Sequence, residues 1–239
     1  LNIIDCPGSD DFCGGAITAL HVADTAIITL TANGGVEVGT QNNFRRAEKA
    51  KKPIAFVINK CDHENADFER TFNELKEVFG NKCTLFQYPI NAGKDFNAAI
   101  DVLQGKMLVW KAEGGAPEAK DIPESEKATV EEIRAQLLEW AAESDETIMD
   151  KYFEQGTLSD DELMRGLQTV FAEGSMYPVI CTSGLKDMGI RRLMGFLGEM
   201  TPSVADAPKP LTTEAKEVAP DPKAPASAFI FKTSVEPHI

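Results

Sequence analysis

Three short stretches of this chain put ligand-binding residue types where an apolar run stops. Asp5-Cys6-Pro7-Gly8 follows Leu1–Ile4, Asn59-Lys60-Cys61-Asp62 follows "IAFVI", and Cys181-Thr182-Ser183-Gly184-Leu185 follows "YPVI". The first suits a polyphosphate and its cation. A carboxylate at a strand's carboxyl end can hold Mg2+, usually through water, and Gly8 leaves its N–H open to a terminal phosphate. The second suits a base with paired donors. Asp62 can accept from the N1–H and exocyclic amine of guanine, a pair that adenine lacks, and such a site rejects the wrong base through its own unsatisfied groups. Lys60 can lay its stem across the base, and Asn59 can tie neighbouring loops together. In the third stretch, small residues let backbone amides approach a carbonyl such as guanine O6. Any one of the three could be an ordinary polar loop after a strand. Their order, each behind an apolar strand, points to a guanine-nucleotide site.

The elements that would carry them alternate. Leu1–Ile4, Ala26–Leu30 and Ile54–Ile58 are short and β-branched, as in strands covered on both faces. Thr40–Lys51 reads as a helix with a basic end, and Phe68–Phe79 as another. The pattern predicts an α/β domain with a mainly parallel sheet. Residues 124–173 read as acidic helices. One opens on a Thr129–Glu132 capping box and repeats Val130, Ile133, Leu137, Trp140 and Ala141 on one face. Another opens on Ser159–Glu162 and carries Leu163, Leu167 and Val170 or Phe171. Tyr177–Gly184 returns to a buried strand, and Asp187–Met200 closes with a helix. Six of the thirteen prolines lie in residues 201–225, which read as a linker. Ser227–Ile239 reads as the first strand of a further β domain, so both ends fall inside expected strands and the chain reads as a piece of a longer protein.

Composition narrows the partners. The net charge of −14 over 239 residues is concentrated between residues 101 and 180, where 18 acidic residues face 7 basic ones. That segment is not expected to lie along nucleic acid, whose phosphates need basic partners. Five cysteines without C-x-x-C spacing read as reduced thiols of a cytoplasmic protein, and three scattered histidines make no metal site. The longest apolar run, Ala16–Ala32, is broken by His21 and Asp24, so no membrane span is expected.

With these motifs in hand, the chain resembles the translational GTPases, elongation factor G most closely, over nearly its whole length. "NIIDCPGSDDF" is similar to the family's third nucleotide motif, "FVINKCD" to its guanine-specificity loop, and "YPVICTSGLKDMGI" to its fifth motif. Asn59 and Ser183 stand 124 residues apart, and the resemblance implies a subdomain inserted between them. It implies a P-loop NTPase-type G domain divided as residues 1–90 and 177–203, an inserted acidic subdomain, helical or α+β, at 91–176, a linker at 204–225, and the start of a β barrel at 226–239.

GTP or GDP would be bound through Asp5, Gly8, Asn59, Lys60, Asp62, Ser183 and Gly184, with Mg2+ at Asp5 through water. The ribosome would be the partner, with a stalk protein at the acidic insertion. The P-loop (G-x-x-x-x-G-K-[ST]) is expected upstream of Leu1. Its strand would lie between Leu1–Ile4 and Ala26–Leu30, so the sheet is expected to lack it. The family usually has histidine after Asp-x-Pro-Gly, where it orients the attacking water, and this chain has Ser9. Three functions are compatible with that: a translocation-promoting elongation factor with impaired hydrolysis, a GTP-gated ribosome-binding module with little hydrolysis, and a ribosomal protection factor of the tetracycline-resistance type.

Overall fold

The computed structural model of the protein describes residues 1–205 and 207–233. After a single 3-10 turn at Asp10–Phe12 come α1 (Cys13–Val22), β1 (Ala26–Thr31), α2 (Val38–Lys49), β2 (Ile54–Asn59), α3 (Phe68–Phe79) and β3 (Cys83–Leu85). There follow β4 (Gln87–Pro89), β5 (Ala98–Asp101), β6 (Lys106–Val109) and β7 (Glu118–Lys120). The chain then runs through α4 (Glu124–Ala142), α5 (Glu146–Gln155), α6 (Asp160–Ala172), β8 (Tyr177–Cys181) and α7 (Ile190–Met200).

Apolar continuity decides the first sheet. Ile54–Ile58 are all buried, as a strand covered on both faces must be. The sheet is wholly parallel, in the order β1-β2-β8-β3. Its register sets Thr31 beside Asn59 and Ile58 beside Cys181, so the strands that carry the second and third motifs end side by side. An aromatic cluster fastens helices to this sheet. Phe44 of α2 and Phe56 of β2 meet Phe79 of α3 at centroid distances of 4.3 and 5.0 Å, and Tyr177 of β8 stands edge-on to Phe44.

A second sheet is not legible in the sequence. Only Phe86 separates β3 from β4, and β4-β5-β6-β7 form an antiparallel meander. Tyr88 pairs with Ile100, Ile100 with Met107, and Met107 with Lys120. Beyond it α4 packs on α6, and α6 on α7.

Two helix expectations hold at the level of single residues. The helix over Phe68–Phe79 has those bounds, with Asp67 accepting from the Arg70 N–H as its cap. The Ser159–Glu162 capping box forms, and Leu163, Leu167, Val170 and Phe171 are buried behind it. All five cysteines are free thiols. Burial pushes the Cys83 thiol up to about 12 and Cys181 well above its ordinary range. Among the described residues no helix is long and apolar enough to cross a membrane, and no group of three or more His, Cys, Asp or Glu could hold a metal ion.

Other expectations need correction. Leu1–Ile4 is not a strand; Leu1 and Ile3 are 72% and 71% exposed, because β1 is the end of the sheet and no described strand offers these residues a ladder. Thr129 caps nothing, since α4 begins five residues earlier, directly after Pro123. The basic helix runs Val38–Lys49, two residues before the expected span at both ends. Residues 226–233 form no strand, and Phe229 and Ile230 are exposed there. The rest of that expected strand, residues 234–239, lies outside the described residues.

Candidate nucleotide site

The second and third motifs are brought together. Asn59 closes β2, and its side-chain oxygen accepts from the Gly184 N–H at 3.0 Å and the Thr182 hydroxyl at 3.2 Å. Backbone bonds reinforce the contact. The Cys61 N–H donates to the Thr182 carbonyl at 3.1 Å, and the Thr182 N–H to the Ile58 carbonyl at 2.9 Å. Thus one asparagine cross-links two loops that the parallel register had already made neighbours.

Each loop then turns sharply. Lys60 has φ +59, a left-handed conformation uncommon for a lysine, and its side chain is exposed. Asp62 is half-buried, and its carboxylate has no hydrogen-bond or ion-pair partner among the described residues. In the other loop, Ser183 and Met188 exchange backbone hydrogen bonds at 2.9 and 3.0 Å, which pinches residues 184–187 into a tight turn. The buried Ser183 hydroxyl accepts from the Lys186 N–H at 3.2 Å. The Ser183 and Gly184 amides are therefore both engaged within the chain. The next amide, that of Leu185, has no acceptor among the described residues, and its side chain is 91% exposed. In the sequence Leu185 is one more apolar residue; its exposure at this turn is the signal that only the fold provides.

The first motif lies apart from this cluster. Asp5, Gly8 and Ser9 are exposed, and no hydrogen bond or ion pair joins them to residues 59–62 or 182–188. Gly8 and Asp10 lie against α2 instead. A Cβ on Gly39 would stand 3.3 Å from the Gly8 carbonyl, and Asp10 pairs with Arg46 at 2.9 Å and accepts from Asn42 at 2.6 Å. Arg46 and Asn42 hold the Asp10 carboxyl below its ordinary range.

A parallel sheet whose adjacent carboxyl ends carry two cross-linked polar loops places the chain among the α/β nucleotide-binding domains. Residues 1–203 match the family described as the Elongation factor Tu GTP binding domain, and the chain belongs to it. It is 33% identical over 241 residues to an elongation factor G-like protein of Thermotoga maritima, a match covering 99% of this chain and 34% of that protein. A crystal structure from Thermus thermophilus superimposes with a TM-score of 0.76 at 28% identity, over 84% of this chain and 30% of that one. The chain thus spans about a third of the length of these relatives. The resemblance to elongation factor G-like translational GTPases is borne out by these matches.

Proposed function

We propose that this chain supplies the guanine-reading part of a GTP-binding translation elongation factor of the elongation factor G type, a cytoplasmic protein that promotes ribosomal translocation. The observation that carries the reading is the Asn59 bridge to Gly184, which joins the loop bearing the unpartnered Asp62 carboxylate to the Gly184–Leu185 turn. Asp62 then accepts from guanine N1–H and the exocyclic amine, and an amide of the facing turn donates to O6. Because the Gly184 N–H is engaged by Asn59, Leu185 supplies the unengaged amide. The exposed Lys60 stem and Leu185 side chain cover the faces of the base.

The phosphate half rests on Asp5 and Gly8. Mg2+ is bound through one or two carboxylates together with waters and phosphate oxygens. Asp5, exposed and unpartnered, fits one water-mediated contact of that kind but makes no site alone. Gly8 fits a backbone contact to the terminal phosphate. Mg2+ would neutralise phosphate charge. These 239 residues contain no G-x-x-x-x-G-K-[ST], so the main phosphate cradle is assigned to residues of the longer protein. The ribosome is the proposed partner. The acidic excess of residues 101–180 supports a contact with a basic face of a stalk protein rather than with nucleic acid.

Ser9 favours a second reading, a GTP-gated ribosome-binding module with little hydrolysis. Both readings share one test of the site. The full-length protein is expected to bind GDP far more tightly than ADP, and Asp62→Asn to shift its preference towards xanthine nucleotides. Equal affinity of the unaltered protein for GDP and ADP would remove the assignment.

A further inference from the structure

The two base-reading loops do not stand free, because the turns of the antiparallel sheet grip both from outside. From the β4–β5 turn, residues 90–97, the Gly93 N–H donates to the Cys61 carbonyl at 2.8 Å. The same turn's Lys94 carbonyl accepts from the Lys186 ammonium at 2.8 Å, and the Lys94 side chain reaches Glu64 at 2.8 Å, two residues past Asp62. From the β6–β7 turn, residues 110–117, the Gly115 N–H donates to the Asp187 carbonyl at 3.0 Å. Beside it, Gly114 at φ +74 lies so near the Lys186 carbonyl that a Cβ would stand 1.8 Å from the oxygen.

The gripping turns are themselves stiff. The Asn91 side chain donates to the Asp95 carbonyl at 2.6 Å and the Asn97 side chain at 2.9 Å, and it accepts from the Ala98 N–H at 3.2 Å. Phe96 of one turn and Trp110 of the other are buried together, with ring centroids 6.1 Å apart. The two turns thus share one apolar anchor.

We propose that Gly93, Gly114 and Lys186 are positioning residues for guanine recognition. They clamp the Asp62 loop and the 184–187 turn at the separation a guanine edge requires. The inference rests on the guanine reading above. Its physical basis is the narrow tolerance of hydrogen bonds. A donor–acceptor pair works between about 2.7 and 3.2 Å and weakens steeply when misaligned, and a shift of about 1 Å in a positioned group can cost on the order of 100-fold. Two loops reading opposite ends of one base edge must therefore be fixed relative to each other, and loops need a supporting shell to achieve this.

The test measures a ratio, because loss of folded protein lowers all affinities together. Binding of GDP, inosine diphosphate and ADP to the full-length protein is compared by calorimetry. Inosine lacks only the exocyclic amine, so the unaltered protein should prefer GDP to inosine diphosphate by about tenfold or more. Gly114→Ala, which must displace the Lys186 carbonyl, is expected to cut that preference at least about fivefold. Gly105→Ala is the control. Gly105 has φ +61 but open space around it, so it carries the same backbone strain without the contact and should leave the ratio unchanged. Should Gly114→Ala fail to fold by circular dichroism, Lys186→Met decides on the same ratio, since it removes the link to Lys94 from a half-buried side chain and keeps its apolar stem. A GDP preference that survives in the deciding variant, or that falls equally in Gly105→Ala, overturns the clamp alone. No preference for GDP over ADP in the unaltered protein overturns the guanine reading and the clamp with it.

Discussion

Arg192, in the first turn of α7, and Asp101, the last residue of β5, form an ion pair whose side chains are 10% and 1% exposed. It ties the antiparallel sheet to the helix that follows the 184–187 turn. Burial works against the guanidinium charge, but Asp101 and Glu199, the latter at 2.9 Å, outweigh it and raise the Arg192 pKa. Asp101 also accepts from the Gln104 N–H at 2.9 Å. Breaking a buried pair from one side costs about 3–5 kcal/mol, because the partner charge stays behind. With Glu199 still in place, Asp101→Asn should fall near the lower end, a loss of about 3 kcal/mol in urea unfolding. Replacing both residues by leucine should cost much less than that single change. A loss below about 1 kcal/mol for Asp101→Asn, the range of an exposed pair, would contradict the buried assignment.

Gly166 sets how closely α6 approaches α4. A Cβ there would lie 2.5 Å from the Ala141 carbonyl oxygen and 2.8 Å from its Cα and Cβ. Two effects oppose each other in Gly166→Ala. Helix propensity favours alanine by about 1 kcal/mol, whereas forcing two backbones apart in a packed interface costs about 1–3 kcal/mol. The neighbour here is backbone and cannot rotate away, so the clash should win. Net destabilisation of up to about 2 kcal/mol is expected from thermal unfolding, and a stabilised variant would show that the helices can slide.

What the sequence disclosed follows from where the information lies. Ile54–Asn59 and Phe68–Phe79 were readable because a continuous apolar run and a capped, periodic segment each specify themselves locally. The Asn59–Gly184 bridge was foreshadowed by residue type, since an asparagine at a strand end suits a link between loops. Leu1–Ile4 misled because strand propensity has no effect without a ladder partner. The antiparallel sheet is not legible because its strands are three or four residues long and hardly alternate; Glu118–Lys120 is exposed throughout, and Ala98–Asp101 is buried throughout, including its aspartate. The contact of Gly114 with Lys186 joins residues far apart in the chain, and no local pattern signals it.

Ser159 and Glu162 give α6 a pH-dependent start. The Ser159 hydroxyl accepts from the Glu162 N–H, and the Glu162 carboxylate accepts in return from the Ser159 N–H at 3.1 Å and hydroxyl at 2.7 Å. Hydrogen bonds from Lys151 and Ser159 lower Glu162 from its ordinary 4.5 to about 2. A depressed carboxyl stabilises the fold above its unfolded value and loses that contribution as pH falls through its folded one. The Tm difference between the unaltered protein and Glu162→Gln should therefore be constant above about pH 5 and shrink from 4.5 towards 2. Ser159→Ala should cost about 1 kcal/mol at neutral pH, as loss of an N-cap does. A Tm difference that ignores pH across that window would count against the box as a source of stability.

We propose that Ser9 takes the place where, by the resemblance of its motif, the family usually has the histidine that orients the attacking water. Its backbone is extended, at φ −72 and ψ 139, just before the 3-10 turn, and its hydroxyl caps nothing. The side chain is exposed and bears no structural load, so a substitution here should report on chemistry rather than on folding. Attack on a terminal phosphate relies on an in-line nucleophile, and the protein contributes mainly positioning and charge stabilisation. A serine in place of a water-orienting histidine removes an interaction made chiefly in the transition state. Binding should then persist while turnover falls, by on the order of 10²–10⁴-fold for one positioned group. We therefore expect the full-length protein to bind GTP normally and to hydrolyse it slowly even with ribosomes, and Ser9→His to recover part of the turnover without changing GTP affinity. Single-turnover hydrolysis on ribosomes separates the two readings of function. A rate matching a histidine-bearing elongation factor, unmoved by Ser9→His, would mean that water is positioned by another group and would leave the low-hydrolysis reading without support.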